Sequence, residues 1–439
     1  MGRHPATTTS LITLEVTVTA AEPDQTSPPY VVDMTDEQLV QDPFTGYSRI
    51  RERAPLVRGF MPRVDPAWIV TRYHDVKLVL GDPRFVIDSA NVPGMNLPSL
   101  HEQVTSSRIP PEYSKYVSSR MGELDGADHA RLRNVAGASF SARRADEYRS
   151  RIKEICVELL DRLPDKAEDG VADLQAHFAL PFAFNVLCEL IGLPKDDFRR
   201  WRDWLEQIRR PDTWRDMVAY TRKLVEVRRQ GESAADDDLI SALIRARYGT
   251  GPDGGRISDT EMIAMIMHMG SSAYVTPAFM IGNGTVFLLT HPDQLALLRA
   301  NPELTPQAVH ELLRCCAPIT LSPHLRYATE DVEIGGMVVK KGEAVWAAFR
   351  AANYDPRRFA DPERFDITRQ REGRFEDHLS FSHGMHRCLG SHVARVELEV
   401  AFEALPHRFP NLTLAVAPEN LRNERLPFQW GYAAVPVRL

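Results

Sequence analysis

The chain has 439 residues, 43% of them hydrophobic and 26% charged, the composition of a soluble globular protein long enough to bury a large core. A formal net charge of −7 argues against general nucleic-acid binding, which leaves a basic footprint. Five cysteines, Cys156, Cys188, Cys315, Cys316 and Cys388, show no paired spacing and read as reduced thiols in a cytoplasmic compartment.

Residues 1–30 carry a short apolar patch broken by Glu15 and lack a signal-peptide pattern; they read as a poorly ordered extension ahead of one folded unit, 31–439. No run approaches the roughly 18 apolar residues that a bilayer span needs, so no membrane association is expected. "PLVRGFMPRVDPAWIVTRY" offers two strand-like runs around a turn, and "HDVKLVLGDPRF" a helix closed by Gly81 and Asp82. An irregular Pro-, Ser- and Gly-rich segment follows to about 116, of the kind that is often functional in compact domains.

From about 125 to 315 apolar residues recur at three- and four-residue spacing, as in "ARRADEYRSRIKEICVELLDRL" and "DLISALIRARYG", which predicts helices. "ISDTEMIAMIMHMGSSAYVTPAFMIGNGTVFLLTHPD" is longer and more apolar than a surface helix and predicts one helix through the core. The last third holds hairpin patterns, with turns at Gly335-Gly336 and Lys341-Gly342. The fold class is mainly α with small β-sheets rather than a βαβα series.

Near the end stands "FSHGMHRCLG", Phe381 to Gly390. A lone cysteine in a loop is most often a small buried hydrophobe. His378, His383, His386, Cys388 and His392 also offer zinc-type donors, without the paired spacing of structural zinc sites. A third reading is an axial thiolate on haem iron. "LGSHVARVELEVAFEAL" has the period of an amphipathic helix, which would place Cys388 at its positive N-terminal end. Gly384 and Gly390 would allow a tight loop close to a flat macrocycle, and Phe381 would screen the sulfur.

The pattern Phe-x-x-Gly-x-x-x-Cys-x-Gly in this stretch resembles the haem-binding signature of the cytochrome P-450 monooxygenases, soluble bacterial class. Further matches cover roughly residues 30–439. "ELLR" looks like the family's Glu-x-x-Arg helix, and "DPERF" would bring Arg364 into a buried network with Glu311 and Arg314. "DHARLR" and "PHLRYATEDVEIGG" resemble regions from which His129, Arg133 and Arg326 would face the haem propionates, joined by His386. The resemblance implies a single cytochrome P-450 domain with haem b (iron protoporphyrin IX) between the central helix and the helix after the cysteine loop. Cys388 would be the axial iron ligand.

One position departs from the family's pattern. The central helix normally carries an acid followed by a threonine near the oxygen site; here "AYVTPAF" gives Thr276 as the threonine but Val275 at the acid position, followed by Pro277, which removes one helix N–H and would distort the turn before it, opening a groove for water. Valine cannot relay a proton, so another route, through water, substrate, Ser272 or Tyr274, is implied, or else chemistry other than hydroxylation.

The family's pocket segments map to about 86–116, 205–215, 264–276, 317–324 and 425–430, with side chains that include Met95, Leu97, Met265, Met269, Ala273, Val275, Leu321 and Phe428; Ala273 would also touch the cofactor. Such an apolar pocket suits a specialised metabolite such as a polyketide, terpenoid or cyclic peptide. Hydroxylation or epoxidation is the expected reaction, with oxidative coupling, desaturation or rearrangement as the alternative and a non-catalytic haem sensor as a second. Electrons would come from a ferredoxin and an NAD(P)H-dependent reductase, with Arg131 and Arg387 on the docking side.

Overall fold

Strand-forming runs from opposite ends of the chain meet in one sheet. The computed structural model describes residues 30–61, 64–99, 109–208, 210–230, 238–247, 256–370, 377–424 and 428–439. Residues 1–29 of the expected extension, and 100–108, 209 and 425–427 of the expected pocket segments, lie outside the described residues.

In chain order the strands are β1 (Val31–Asp33), β2 (Leu56–Met61), β3 (Val64–Val70), β4 (Phe85–Val86), β5 (Val171–Asp173), β6 (Arg326–Ala328), β7 (Val332–Ile334), β8 (Met337–Val339), β9 (Ala344–Ala347), β10 (Thr413–Leu414) and β11 (Pro436–Arg438). A six-stranded sheet runs β1-β2-β3-β9-β6-β4. The expected β2–β3 hairpin is antiparallel, whereas β9 joins β3 in parallel. β11 pairs with both β10 and β5, so the C-terminus is sewn onto the helical body. β7 and β8 form the hairpin expected around Gly335-Gly336.

Eight helices position the site: α1 (Tyr73–Gly81), α2 (Gly126–Gly137), α3 (Arg149–Arg162), α4 (Leu180–Ile191), α5 (Asp259–Ser272), α6 (Val275–Thr290), α7 (Thr305–Cys316) and α8 (Ser391–Arg408). α3 buries Ile152, Ile155, Cys156 and Leu160, the stripe its three- and four-residue spacing calls for. Together with the buried sides of α4 to α8 it forms the largest apolar cluster. Two smaller clusters lie on the two faces of the β2–β3–β9 sheet.

The single long core helix expected over 257–293 is two helices. α5 starts on a capping box in which Ser258 and Glu261 satisfy each other's backbone N–H groups. Ala273 still donates to the Met269 carbonyl at 3.2 Å, but with ψ 5° it leaves helical geometry, and α6 restarts at Val275. Pro277 explains the break: its ring would clash with the carbonyl of residue 273 in a continuous helix, and it has no N–H to give. In the first turn of a new helix that missing donor costs nothing. By length and composition the stretch Asp259–Thr290 could cross a membrane, yet 61% of its most apolar window is buried in the fold, as befits a core helix. α6 also lies close on α8, since a Cβ on Gly284 would come 2.4 Å from the Phe402 ring.

Candidate active site

The cysteine loop is shaped by its backbone. Ser382 N–H donates to the Leu379 carbonyl at 2.8 Å and Cys388 N–H to the Phe381 carbonyl at 2.7 Å. Gly384 has φ +71°, and a Cβ there would lie 2.5 Å from the Leu80 carbonyl oxygen, so both conformation and contact demand glycine. Gly390 is different: it caps α8 with φ −80°, and a Cβ on it would meet open space. The loop therefore leaves a cradle beside Cys388.

Cys388 is exposed whereas the other four cysteines are buried. Protein still crowds its sulfur enough for burial to push the thiol up, while the Gly390 N–H, Arg387 and Arg133 pull it back. These are the groups that would favour a thiolate once a metal replaces the proton. Among the described residues no three His, Cys, Asp or Glu side chains are arranged to hold a bare metal ion, so the zinc reading has no geometric support.

Beside the loop, α2 and β6 converge. His129 and Arg326 are buried, and His386 of the loop brings its ring centroid 4.3 Å from that of His129. Asp125, ahead of α2, accepts N–H bonds from Ile87 and Asp88 and lies 3.9 Å from His386 Nε2. Burial, then Arg133, pushes His129 down to about 4; burial, then Arg326, pushes His386 down to about 2. Arg326 is itself lowered to about 10 by burial, with Asp125 opposing. Arg326 Nη1 and His129 Nδ1 are buried and have no hydrogen-bond partner among the described residues. Leaving such donors unmet costs about 1–3 kcal/mol each, and carboxylates would satisfy them.

A cradle beside a thiol, walled by buried donors that want anions, suits a macrocycle with acidic arms. Residues 193–425 match the family model described as Cytochrome P450. The chain belongs to the cytochrome P450 family. It is 37% identical over 407 residues to cytochrome P450 107B1 of Saccharopolyspora erythraea, covering 92% of this chain and 96% of that one. It is 36% identical over 419 residues to the 6-deoxyerythronolide B hydroxylase of the same organism, covering 93% and 99%. The solved structure of the Bacillus subtilis 168 bacillaene polyketide synthase P450, PksS, aligns with TM-score 0.81 at 32% identity over 92% of this chain and 99% of that one. The chain is thus a P450 monooxygenase with the fold of bacterial P450s, and the family's cofactor is thiolate-ligated haem b.

Under the loop, Glu311 and Arg314 on α7 form a bidentate pair at 2.8 Å for both bonds, both residues being buried. The second arginine is not the expected one. Arg364 points outward, its side chain 68% exposed and 3.5 Å from Asp366, and contributes only its carbonyl to Arg314 and Arg369. Arg369 supplies the guanidinium, donating to Glu311 at 3.0 Å. The network reaches the cysteine loop through Asn353: its carbonyl accepts from Arg314, its side chain from Leu379 N–H, and its amide donates to Ser380.

Ala273, Val275 and Thr276, expected near the oxygen site, are half-buried at the break between α5 and α6. Ser272 is exposed and spends its hydroxyl on the His268 carbonyl at 2.8 Å, and Tyr274 is buried edge-on against Phe184. The expected pocket residues are spread over several surroundings. Met265 and Met269 are buried in the helical cluster, and Leu321 packs on the sheet with Phe428 beside Trp346. Met95 is 41% exposed, with its Sδ against the Gly342 turn and Leu97 nearby. Sequence reading missed a polar group, Gly122, Glu123, His268 and His324, which draws together three separate segments. It also missed Glu397 on α8, which is buried, pushed up to about 8 by burial, and has no partner for Oε2 among the described residues.

Proposed function

We propose that residues 31–439 form one haem domain that hydroxylates or epoxidises an apolar specialised metabolite in the cytoplasm, drawing electrons from a ferredoxin and an NAD(P)H-dependent reductase. Cys388 would hold the iron, and His129, Arg133, Arg326 and His386 the propionates, with Gly390 leaving room for the ring. When bound, the haem supplies dioxygen binding and cleavage, which the electron-rich thiolate favours. The observation that carries the reading is Thr276, half-exposed in the first turn after the helix break, where its Oγ can hold a water or a proton facing the site. The break opens backbone that a continuous helix would close, which gives water a place to stand near Thr276. Relatives named as 6-deoxyerythronolide B hydroxylase and as mycinamicin IV hydroxylase/epoxidase, 36% and 34% identical, support this class of reaction. Five free cysteines support a reducing compartment.

Val275 favours a second reading, oxidation without oxygen insertion, because it removes the side chain that would pass protons next to Thr276. A similar structure at 30% identity, CxnD, is described as a P450 for C–S bond formation. Turnover under heavy-isotope dioxygen, with ferredoxin, reductase and NADPH, separates the two. One labelled oxygen in the product supports the first; a dehydrogenated or coupled product without label supports the second.

A further inference from the structure

Gly122, in the short turn Met121–Glu123, leaves a gap with a defined lining. A Cβ there would meet His324 Nε2 at 3.7 Å and His268 Nε2 at 3.8 Å, both ordinary contact distances. His268 stands on α5, one turn before the Ser272 whose hydroxyl bonds its carbonyl. His324 lies in the segment that leads into β6. Two imidazole nitrogens from distant parts of the chain thus face one small volume, on the helix that runs up to Ala273 and Thr276.

We infer that this gap is a subsite for an uncharged hydroxyl group on the substrate, held by His324 with His268 alongside. The inference rests on the reading of the pocket as one for an apolar small molecule and adds the polar feature that the molecule must carry.

The chemistry follows from what stands behind the rings. Glu123 Oε2 lies 3.3 Å from His324 Nδ1. Burial would raise this carboxyl, but the hydrogen bond from His324 and the charges of His324 and Arg120 hold it below its ordinary value. Glu123 takes up His324 Nδ1, so Nε2 is the nitrogen left facing the gap. His268 is neutral, lowered to about 3 by burial and then by Arg120. A substrate carboxylate would meet the Glu123 charge. An ammonium would meet Arg120, whose half-buried guanidinium lies close enough to depress His268. A hydroxyl can donate to or accept from His324 Nε2 and meets neither penalty. Five residues of helix separate His268 from Ala273, roughly 7 Å, so the anchored oxygen sits several carbons from the oxidised position.

The test uses the haem-loaded enzyme and three probes that share one chain: 1-dodecanol, 1-methoxydodecane and dodecanoate. Binding is read from the spin-state shift of the haem absorption band and, independently, by calorimetry. We expect the alcohol to bind about tenfold more tightly than the ether, the scale of one neutral hydrogen bond. Gly122→Ala, which the open space accepts without strain, and His324→Phe should each bring that ratio close to one, while His324→Gln, which keeps an acceptor, should retain part of it. Equal affinities in the wild type, dodecanoate as the tightest probe, no response to the alcohol, or a preference that survives both substitutions would each overturn the subsite. A variant that fails to load haem leaves the wild-type series to decide. The oxygenase reading fails separately, on product mass, whatever these titrations show.

Discussion

The imidazoles of His129 and His386 stand 4.3 Å apart, tilted by 50°, although one belongs to α2 and the other to the cysteine loop. With the buried Arg326 they make a wall of donors whose natural complement is a pair of carboxylates. Replacing His129 by alanine should therefore weaken haem retention more than it weakens the fold. Transfer of haem to apomyoglobin should speed up by about 10–100-fold, the scale of one charge-assisted hydrogen bond. An unchanged transfer rate would remove His129 from the propionate wall.

The Glu311 network makes a discriminating pair of substitutions. Arg369→Ala takes one of two guanidinium partners from a carboxylate that is 4% exposed and should cost about 1.5–3 kcal/mol of stability, the scale of a hydrogen bond to a charged group, with poor haem loading. Arg364→Ala leaves its carbonyl in place and should change stability by less than about 0.5 kcal/mol. Denaturant unfolding of both variants checks the order, and a reversed ranking would restore Arg364 as the network residue.

Glu397 gives a pH dependence with a defined sign. Its folded value is about 8, against about 4.3 in an unfolded chain. Between these values the fold keeps a proton that the unfolded chain has released, so stability falls as pH rises. The span corresponds to several kcal/mol, on the order of 1.4 per pH unit. Glu397→Gln stays neutral throughout, so its gain over the wild type should be larger at pH 8 than at pH 5. A gain independent of pH would show that the buried carboxyl does not hold its proton.

Val275→Glu puts a proton-passing group beside Thr276, and Pro277→Ala removes the cause of the helix break. If proton supply limits turnover, the first should raise the fraction of NADPH electrons recovered in product. The second should close the break and lower that fraction. Coupling measurements on both variants, unchanged from wild type, would show that protons reach the site by a path that involves neither residue.

What the sequence disclosed was whatever is encoded locally. The three- and four-residue spacing announced α3, the turn glycines announced the β7–β8 hairpin, and the spacing around Cys388 and Glu311 carried the family. Pro277 announced a distorted turn before it, but not that the long helix divides in two: "SAYVT" has no strong breaker of its own, and the effect falls back on residue 273. Arg364 was named for the network and Arg369 passed over, since only the path of the chain after Asp361, which has φ +45°, decides which side chain turns inward. The gap at Gly122 could not be read at all. Its lining comes from three segments joined only by tertiary packing, and a glycine announces nothing about what faces it.

The contact between Gly384 and the Leu80 carbonyl bears on how the molecule is made. The grip of the cysteine loop is set by a helix about 300 residues earlier in the chain. A ribosome must make everything between them before the two can meet. Cofactor capture is thereby held back until the intervening helices and strands exist to receive it.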